Sequence, residues 1–306
     1  MPDPTAGFSL DTISNHVSDL LDGIAPRLVT VRGRRRGTSS GFLWRPGLII
    51  TAEEALEADE DIAVMHPDGS KVAAGLVGRD PSTDIALLRI EESPLEDIAF
   101  SPTDGLRAGH LILAAGRQPE GPSAALGIVS LTGAAWKSLR GGHMDRRIHL
   151  DLRLDFQSEG GVALDTSGQI VGMTVFGPWR RVLVIPSETI ERVAPQLLDK
   201  GRVARGYLGL GLQPIRIDKA AADTAGLSEP RGLIVVSMDQ DGPGQRAGIR
   251  QGDILIRWNH DALPSVRRVY RLLGPESVGQ SVDLGIVRAG EHITLAVEIR
   301  ERPTPQ

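Results

Sequence analysis

The chain of 306 residues contains no cysteine, which excludes disulfides, thiol nucleophiles and thiolate metal sites together. Aromatic residues make up only 4% of it, and the formal net charge is -5 at pH 7. A mildly acidic chain has no general electrostatic attraction for nucleic acid, so we expect no nucleic-acid partner. The redox compartment is left undetermined.

Long apolar runs are missing as well. Nowhere do about 18 apolar residues follow one another, so no membrane span is expected. The stretch "MPDPTAGFSLDTISNHVSDLLDGIAP" contains no basic segment followed by an apolar run of secretory length. These two absences predict a cytoplasmic protein.

Glycine and proline, in contrast, are abundant, with 36 and 20 residues, and apolar residues come in short runs between turn signals. This composition is typical of a protein built mainly of short strands. Ahead of the strands, residues 9–24 place apolar side chains at helical spacings. We therefore assign residues 1–26 to an N-terminal segment with one amphipathic helix.

Two sets of strand-sized apolar runs follow, the first between residues 28 and 90 and the second between 110 and 186. Six short strands in about 65 residues favour a small barrel or sandwich. A helix predicted from residue 187 ends at Lys200-Gly201, where the cation suits the last turn. Residues 27–200 are thus taken as one domain, and residues 205–302 as a mixed α/β module.

Three stretches of the chain combine glycine-rich turns with acidic residues: "GTSSGFLWRPGLIITAEEAL" (37–56), "GRDPSTDIALLRI" (78–90) and the region 148–172, which contains "SEGG". They resemble the loops that carry the catalytic residues of the HtrA family. The resemblance runs from about residue 10 to 302 and includes the order of the parts. It implies a mostly β fold: a chymotrypsin-like double six-stranded β-barrel followed by a PDZ domain.

The same resemblance places glutamates at two catalytic positions. Glu54 stands where the family has its histidine, Asp84 matches the orienting aspartate, and Glu159 stands where the family has its serine. The glycines after Glu159 fix this register, so Ser158 falls one residue before the nucleophile position. None of the seven histidines lies in the loop that should deliver a base.

A carboxylate is a poor nucleophile for an amide, and loss of the serine or the histidine alone typically removes about a millionfold of rate. The sequence therefore predicts a non-enzyme: a catalytically inactive pseudoprotease acting as a peptide-binding adaptor, or as a chaperone-like or regulatory subunit in protein quality control. No cofactor is expected. Two alternatives stay open: an active HtrA-type serine endopeptidase with an unusual site, and a scaffold that binds metal through Glu54, Asp84 and Glu159.

A simpler arrangement of the glutamates is that they point to solvent or pair with Arg153 or Arg180. The basic run "RGRRRG", residues 32–37, is predicted as a solvated hairpin tip.

The C-terminal module resembles a PDZ domain with an intact peptide site. The stretch "RGYLGLGL" is similar to the carboxylate-binding loop, with its motif on Tyr207, Leu208, Gly209 and Leu210. The helix in "SVRRVYRLLG" offers Val266, Val269 and Leu273 for an apolar pocket. The resemblance implies that protein C-termini or unfolded segments are the partners.

The family also implies an oligomer. Phe8 falls where HtrA proteins use aromatic residues to assemble trimers, so we expect a homotrimer, with mixing with an active paralogue as a further option.

Overall fold

The computed structural model describes residues 9–34, 37–91, 98–218 and 229–303. The chain divides into two compact units. The first comprises Met1–Trp136 with His143–Val203, and the second comprises Lys137–Gly142 with Ala204–Gln306. Phe8 lies outside the described residues.

Helix α1 spans Leu10–Ile24, where the helical spacing predicts it. Ser9 caps its N-terminus, because the Ser9 hydroxyl oxygen accepts a hydrogen bond from the Thr12 amide at 3.0 Å. Ile24 is the buried residue of the helix, and its side chain joins the main core of the first unit.

The first unit contains two closed barrels of six strands each, as the resemblance implies. The strands of the first barrel are β1 (Leu28–Arg32), β2 (Ser39–Arg45), β3 (Leu48–Ala52), β4 (Ile62–Met65), β5 (Lys71–Asp80) and β6 (Ile85–Arg89). They close in the order β1-β2-β3-β6-β5-β4, with antiparallel neighbours throughout.

The strands of the second barrel are β7 (Leu111–Gln118), β8 (Gly121–Gly133), β11 (Arg147–Asp151), β12 (Val162–Leu164), β13 (Ile170–Phe176) and β14 (Val182–Pro186). They close in the order β11-β14-β13-β12-β7-β8. Two short strands, β9 (Trp136–Lys137) and β10 (His143–Met144), come between β8 and β11 in the sequence.

The largest core of the first unit is shared by the two barrels. Consecutive side chains of β2 point to opposite faces, yet Phe42 and Leu43 are both fully buried. Leu43 belongs to the interior of the first barrel, whereas Phe42 belongs to the shared core, which also includes Met173 from the second barrel. Burial of both strand faces explains why apolar residues follow one another without alternation at 42–44 in β2 and at 48–50 in β3.

Helix α2 spans Ser187–Lys200 and adds Ile190, Val193 and Leu197 to the shared core. It ends at Gly201, whose φ of 69° lies in the left-handed region that glycine adopts freely. The amide of Gly201 donates to the Leu197 carbonyl at 2.9 Å, so the predicted glycine stop is confirmed.

The second unit is a sheet flanked by short helices. Its strands are β15 (Gly206–Tyr207), β16 (Leu210–Arg216), β17 (Arg231–Met238), β18 (Ile254–Trp258), β19 (Asp261–Ala262), β20 (Ser281–Arg288), β21 (Glu291–Glu298) and β22 (Arg300–Glu301), and its described helices are Pro243–Arg246 and Val266–Leu272. The main sheet has the order β16-β17-β18-β20-β21, so β16 is an edge strand. We name Val266–Leu272 the groove helix because it lies beside β16.

Candidate active site

The loops that follow β3 and β5 bring residues 54 and 84 together. Glu54 lies in a single helical turn, Glu53–Ala55, directly after β3. Its backbone amide donates to Asp84 Oδ1 at 2.8 Å, and the amide of Glu53 donates to the Asp84 carbonyl at 3.3 Å. Asp84 itself has a φ of 58°, an uncommon value for a residue other than glycine.

Two buried carboxylates, those of Asp80 and Glu53, hold these loops in place. The Asp80 carboxylate accepts hydrogen bonds from the hydroxyls of Ser82 and Thr83 at 2.6 and 2.7 Å, which fixes the turn that leads to Asp84. Arg79 forms an ion pair with Glu53 at 3.0 Å and so ties β5 to the turn that carries Glu54. The sequence "GRDPSTD" therefore specifies the loop as well as the residue at its end.

Glu159 is positioned by the pair of glycines that follows it. A Cβ on Gly160 would lie 2.4 Å from the Ser40 carbonyl oxygen, and one on Gly161 would lie 2.2 Å from the Ala115 carbonyl oxygen. Only glycine allows the loop to approach both barrels this closely. The Ser40 amide then donates to the carbonyl of Glu159 at 2.8 Å.

Replacing Gly160 with alanine is expected to lower the free energy of unfolding by roughly 3 kcal/mol or more, because the collision adds to the cost of a left-handed φ. Gly69 is a matched control: its φ is 86° against 84° at Gly160, and a Cβ there would meet nothing within 4 Å. Gly69→Ala should lower the free energy of unfolding by only about 1 kcal/mol. Urea titration of wild type and the two variants measures both losses. Equal losses in the two variants would show that the Gly160 contact does not constrain the loop.

The Glu159 side chain is buried in an ion pair. Arg34 Nη2 lies 2.8 Å from Glu159 Oε2, and the two side chains are only 10% and 4% exposed. The amide of Phe176 contacts the other carboxylate oxygen at 3.5 Å. For Glu159, the prediction of solvent exposure or pairing with Arg153 or Arg180 is wrong, and so is the solvated position predicted for Arg34.

Burial raises the pKa of Asp84 to about 8, and the negative charges of Glu54, Glu159 and Glu53 act in the same direction. The hydrogen bond from the Glu54 amide opposes this rise in pKa but does not cancel it. At neutral pH, Asp84 therefore keeps its proton. A carboxyl group that stays protonated at neutral pH beside other carboxyl groups is an arrangement suited to acid–base chemistry.

The residues around the nucleophile position do not assemble a serine site. Ser158 is buried, and its hydroxyl lies 2.7 Å from the Ser123 hydroxyl. The amide of Gln157 donates to Asp155 Oδ1 at 2.9 Å, so the amide of residue 157 is occupied within its own turn. His149, the histidine nearest this loop in sequence, lies on β11.

A cleft of ≈ 410 Å³ opens beside Glu54 and Glu159. It is lined by Arg34, Glu54, Glu57, Phe156, Glu159, Phe176 and Arg180. The sequence did not identify Phe156 and Phe176 as lining residues, because nothing in either segment alone indicates that β13 passes the nucleophile loop. Across residues 9–34, 37–91, 98–218 and 229–303, no group of three His, Asp or Glu side chains is placed to hold a metal ion.

The second unit has the geometry of a strand-addition site. Gly209 has a φ of 68°, and the Leu208 carbonyl accepts from the Gly244 amide at 2.8 Å, which shapes the predicted loop. Within the described part of the chain, the amides of Leu208 and Gly209 donate to no backbone carbonyl. Free amides beside the edge strand β16 are the groups that a peptide carboxylate needs.

Of the three predicted pocket residues, Val266 and Val269 lie on the groove helix and Leu273 is its C-cap, and the three differ in accessibility. Val269 is 3% exposed and belongs to the core of the second unit. Val266 and Leu273 are partly buried and pack against that core. Val266 and Leu273 therefore offer more surface to a ligand than Val269 does.

Two protein-family profiles match the chain. Residues 39–173 match the trypsin-like peptidase domain, and residues 206–299 match the PDZ domain. The first match covers most of the two barrels, from β2 into β13, and the second covers the strand-addition site. The chain belongs to the HtrA family. The PDZ match supports peptide binding by this HtrA protein.

Curated relatives extend the likeness along the chain. A protein of Halomonas elongata named "Probable periplasmic serine endoprotease DegP-like" is 30% identical over 281 residues, which are 89% of this chain and 58% of that protein. A protein of Brucella suis with the same name is 31% identical, covering 97% of this chain and 59% of the relative. The chain thus spans less than two thirds of the length of either relative.

Solved structures share the fold. The serine endoprotease from Yersinia pestis aligns with a TM-score of 0.67 and 26% identity, covering 94% of this chain and 98% of that one. The HtrA-type protease AlgW with a decapeptide aligns with a TM-score of 0.68 and covers 94% of this chain and 99% of that one. At 23% identity, the AlgW likeness concerns the fold alone.

These comparisons correct two expectations. The prediction of a non-enzyme, a pseudoprotease, is contradicted because the relatives are named serine endoproteases, which points to a protease. The prediction of a cytoplasmic protein is contradicted because the same relatives are named periplasmic. Separately, none of the helices in the described ranges is long and apolar enough to cross a membrane.

Proposed function

We propose that this chain is a periplasmic HtrA-type endopeptidase that binds polypeptides through its PDZ domain and hydrolyses them with carboxylates. The names of its relatives support the activity and the compartment. One structural observation carries the chemistry: the amide of Glu54, a residue that lines the cleft, donates to Oδ1 of Asp84, whose pKa burial raises to about 8.

The residue types define which reaction these positions support. With Glu159 in an ion pair and Ser158 buried against Ser123, neither side chain is placed to form an acyl-enzyme. Water is then the nucleophile, and an exposed carboxylate is the base that activates it. Glu54 and Glu57 are both exposed carboxylates of the cleft, and Glu54 is the one whose amide bonds to Asp84. Asp84, held neutral, adds no further negative charge beside Glu54.

Each proton transfer in the proposed hydrolysis has a named donor and acceptor. Glu54 takes a proton from water as the water oxygen bonds to the peptide carbonyl carbon, which leaves a tetrahedral oxyanion. The oxyanion then reforms the carbonyl as the carbon–nitrogen bond breaks, and Glu54 returns its proton to the departing amine nitrogen.

The test is digestion of fluorogenic casein by the purified chain, with and without a fluorophosphonate that reacts with activated serine. We expect release of fluorescent peptides at the same rate in both samples, with no covalent label on the chain. Rates equal to the buffer blank would contradict the proposed activity. Loss of activity together with labelling would instead show that a serine is the nucleophile.

For the second unit, we propose that its ligands are protein C-termini, presented by unfolded or extended segments. An extended peptide would pair with β16, an edge strand among the described strands, and place its carboxylate at the amides of Leu208 and Gly209. Its last apolar side chain would meet Val266 and Leu273 on the groove side.

Amidation of the peptide C-terminus is expected to weaken binding by about tenfold or more, because it removes the charge that the loop amides would accept. Fluorescence anisotropy with a labelled apolar-ended peptide measures this effect. On the protein side, Val266→Asp should weaken the free-acid peptide similarly, whereas Arg267→Gln, at the exposed neighbouring position, should not. Equal affinity for acid and amide would contradict capture of C-termini.

We propose, finally, that the chain assembles as a homotrimer. The first unit exposes large apolar side chains on α1 and on the neighbouring strands β7 and β8: Leu10, Ile13, Leu111, Leu126 and Ile128. Apolar groups exposed in one region of a surface often mark a contact with another chain. Light scattering tests this assembly, and a mass of one chain in solution would contradict it.

A further inference from the structure

The turn between β13 and β14 adopts a conformation that its residues disfavour. Trp179 and Arg180 have φ values of 56° and 57°, and the Arg181 amide donates to the Pro178 carbonyl at 3.4 Å. Two consecutive left-handed residues define a type I′ turn, for which Asn-Gly is the preferred pair. Here the two positions hold a bulky aromatic residue and a long cation.

Packing of Trp179 does not explain why a bulky residue occupies this left-handed turn position. Its side chain is 89% exposed, so almost no apolar surface is removed from water in return for the strained backbone. Strain of this kind persists mostly where it serves a function, at ligand clamps and active sites. The other residue of the turn, Arg180, lines the cleft beside Glu159.

The Arg180 side chain is held by two aromatic rings. Its guanidinium carbon lies 5.4 Å from the centre of the Phe156 ring and 5.2 Å from that of Phe176. The two rings stack on each other with their centres 5.7 Å apart. Cation–π contacts orient the guanidinium without using any of its N–H donors.

The donors of Arg180 are left for a ligand. In the described part of the chain, the Arg180 side chain makes neither a hydrogen bond nor an ion pair. The other cation of the cleft, Arg34, is committed to Glu159 at 2.8 Å. Glu54 and Glu57 are each engaged in other interactions. Arg180 is thus the cleft cation without an acidic partner among the described residues.

We propose that Arg180 forms a carboxylate-binding subsite of the cleft, which takes an Asp or Glu side chain of an extended peptide. A guanidinium matches a carboxylate with two parallel hydrogen bonds, and the phenylalanine rings pre-orient it for that contact. The type I′ turn places the arginine over the rings. The role of this subsite in substrate choice rests on the proposed function. Binding of a peptide to the subsite can, however, be measured without hydrolysis of the peptide.

Three peptides with one fluorophore and an acetylated N-terminus test the subsite. Two have amidated C-termini, which disfavours the PDZ site, and differ only in a central Glu or Gln. We expect the Glu peptide to bind about tenfold more tightly than the Gln peptide. Arg180→Gln should remove that difference by weakening the Glu peptide alone. Equal binding of the two peptides to wild type would overturn the proposal.

The third peptide has a central Gln and a free C-terminal carboxylate, because a chain end carries the same chemical group. Its affinity should not change in Arg180→Gln. A loss there would show that Arg180 recognises chain ends and not side chains, which contradicts the subsite as proposed.

A turn variant separates the subsite from a purely structural role. Trp179→Asn/Arg180→Gly supplies the preferred pair, so the melting temperature should rise by about 2–4 °C while the preference for Glu is lost. Arg180→Gln should lose the preference without the rise. A turn variant that keeps the preference would contradict the subsite. Selective binding of Glu without any casein hydrolysis would leave the subsite standing and remove the proposed activity.

Discussion

Asp84→Asn should raise the free energy of unfolding at pH 8 by at least about 2 kcal/mol, since the buried carboxyl no longer has to ionise. Asparagine keeps an oxygen for the 2.8 Å hydrogen bond from the Glu54 amide. It also resembles the neutral form that Asp84 adopts in the folded chain below a pKa of about 8.

The sign of the pH dependence follows from the raised pKa. Between the ordinary aspartate value of 3.8 and about 8, folded Asp84 keeps a proton that the unfolded chain releases. The stability contributed by this proton is complete below 3.8 and is lost as the pH rises towards 8, by up to about 1.4 kcal/mol per pH unit.

Urea titrations at pH 5, 6.5 and 8 measure this effect. The free energies of unfolding of wild type and Asp84→Asn should diverge as the pH rises, with wild type losing more stability. Parallel profiles for the two proteins would show that Asp84 ionises normally, which would remove the basis for the acid–base site.

Glu159→Ala is expected to cost about 3–5 kcal/mol of stability, because it leaves Arg34 buried without its charge partner. The pair Arg268 and Asp261 provides a control, since its N–O distance is also 2.8 Å but its side chains are 41% and 63% exposed. Asp261→Ala should cost less than about 1 kcal/mol.

The double variant Arg34→Leu/Glu159→Leu separates charge from packing. Replacing both ions by apolar groups should recover part of the loss, because no buried charge is left unpaired. Thermal unfolding of Arg34→Leu, of Glu159→Leu and of the double variant measures the coupling energy between the two side chains. A double variant as unstable as the sum of its two singles would mean that the ion pair has no special role in this loop.

Much of the fold follows from local sequence patterns. Short apolar runs separated by glycine and proline predict strands, because the residues of a strand alone determine which of its two faces are apolar. Gly201 marks a left-handed helix end, and glycines 160 and 161 mark positions where a Cβ would collide with backbone, so a sequence pattern alone can locate all three. The aspartate loop is equally local, since Asp80 bonds residues two and three positions ahead of it.

The chemistry of the site is less predictable, because it depends on contacts between distant segments. Arg34 and Glu159 are 125 positions apart, and no local signal links the basic run at residues 32–37 to the nucleophile loop. The pKa of Asp84 depends on burial between the loops, which composition does not reveal. The inference of inactivity was drawn from the residue types at positions 54 and 159, and the comparison with named proteases contradicts it.

Hydrolysis of fluorogenic casein at pH 7 by wild type and by Glu54→Gln tests the carboxylate endopeptidase most directly. Wild type should release fluorescent peptides above the blank, and Glu54→Gln should be slower by about 10² to 10⁴, the usual contribution of a general base. A wild-type rate equal to the blank, or a Glu54→Gln rate equal to wild type, would contradict it.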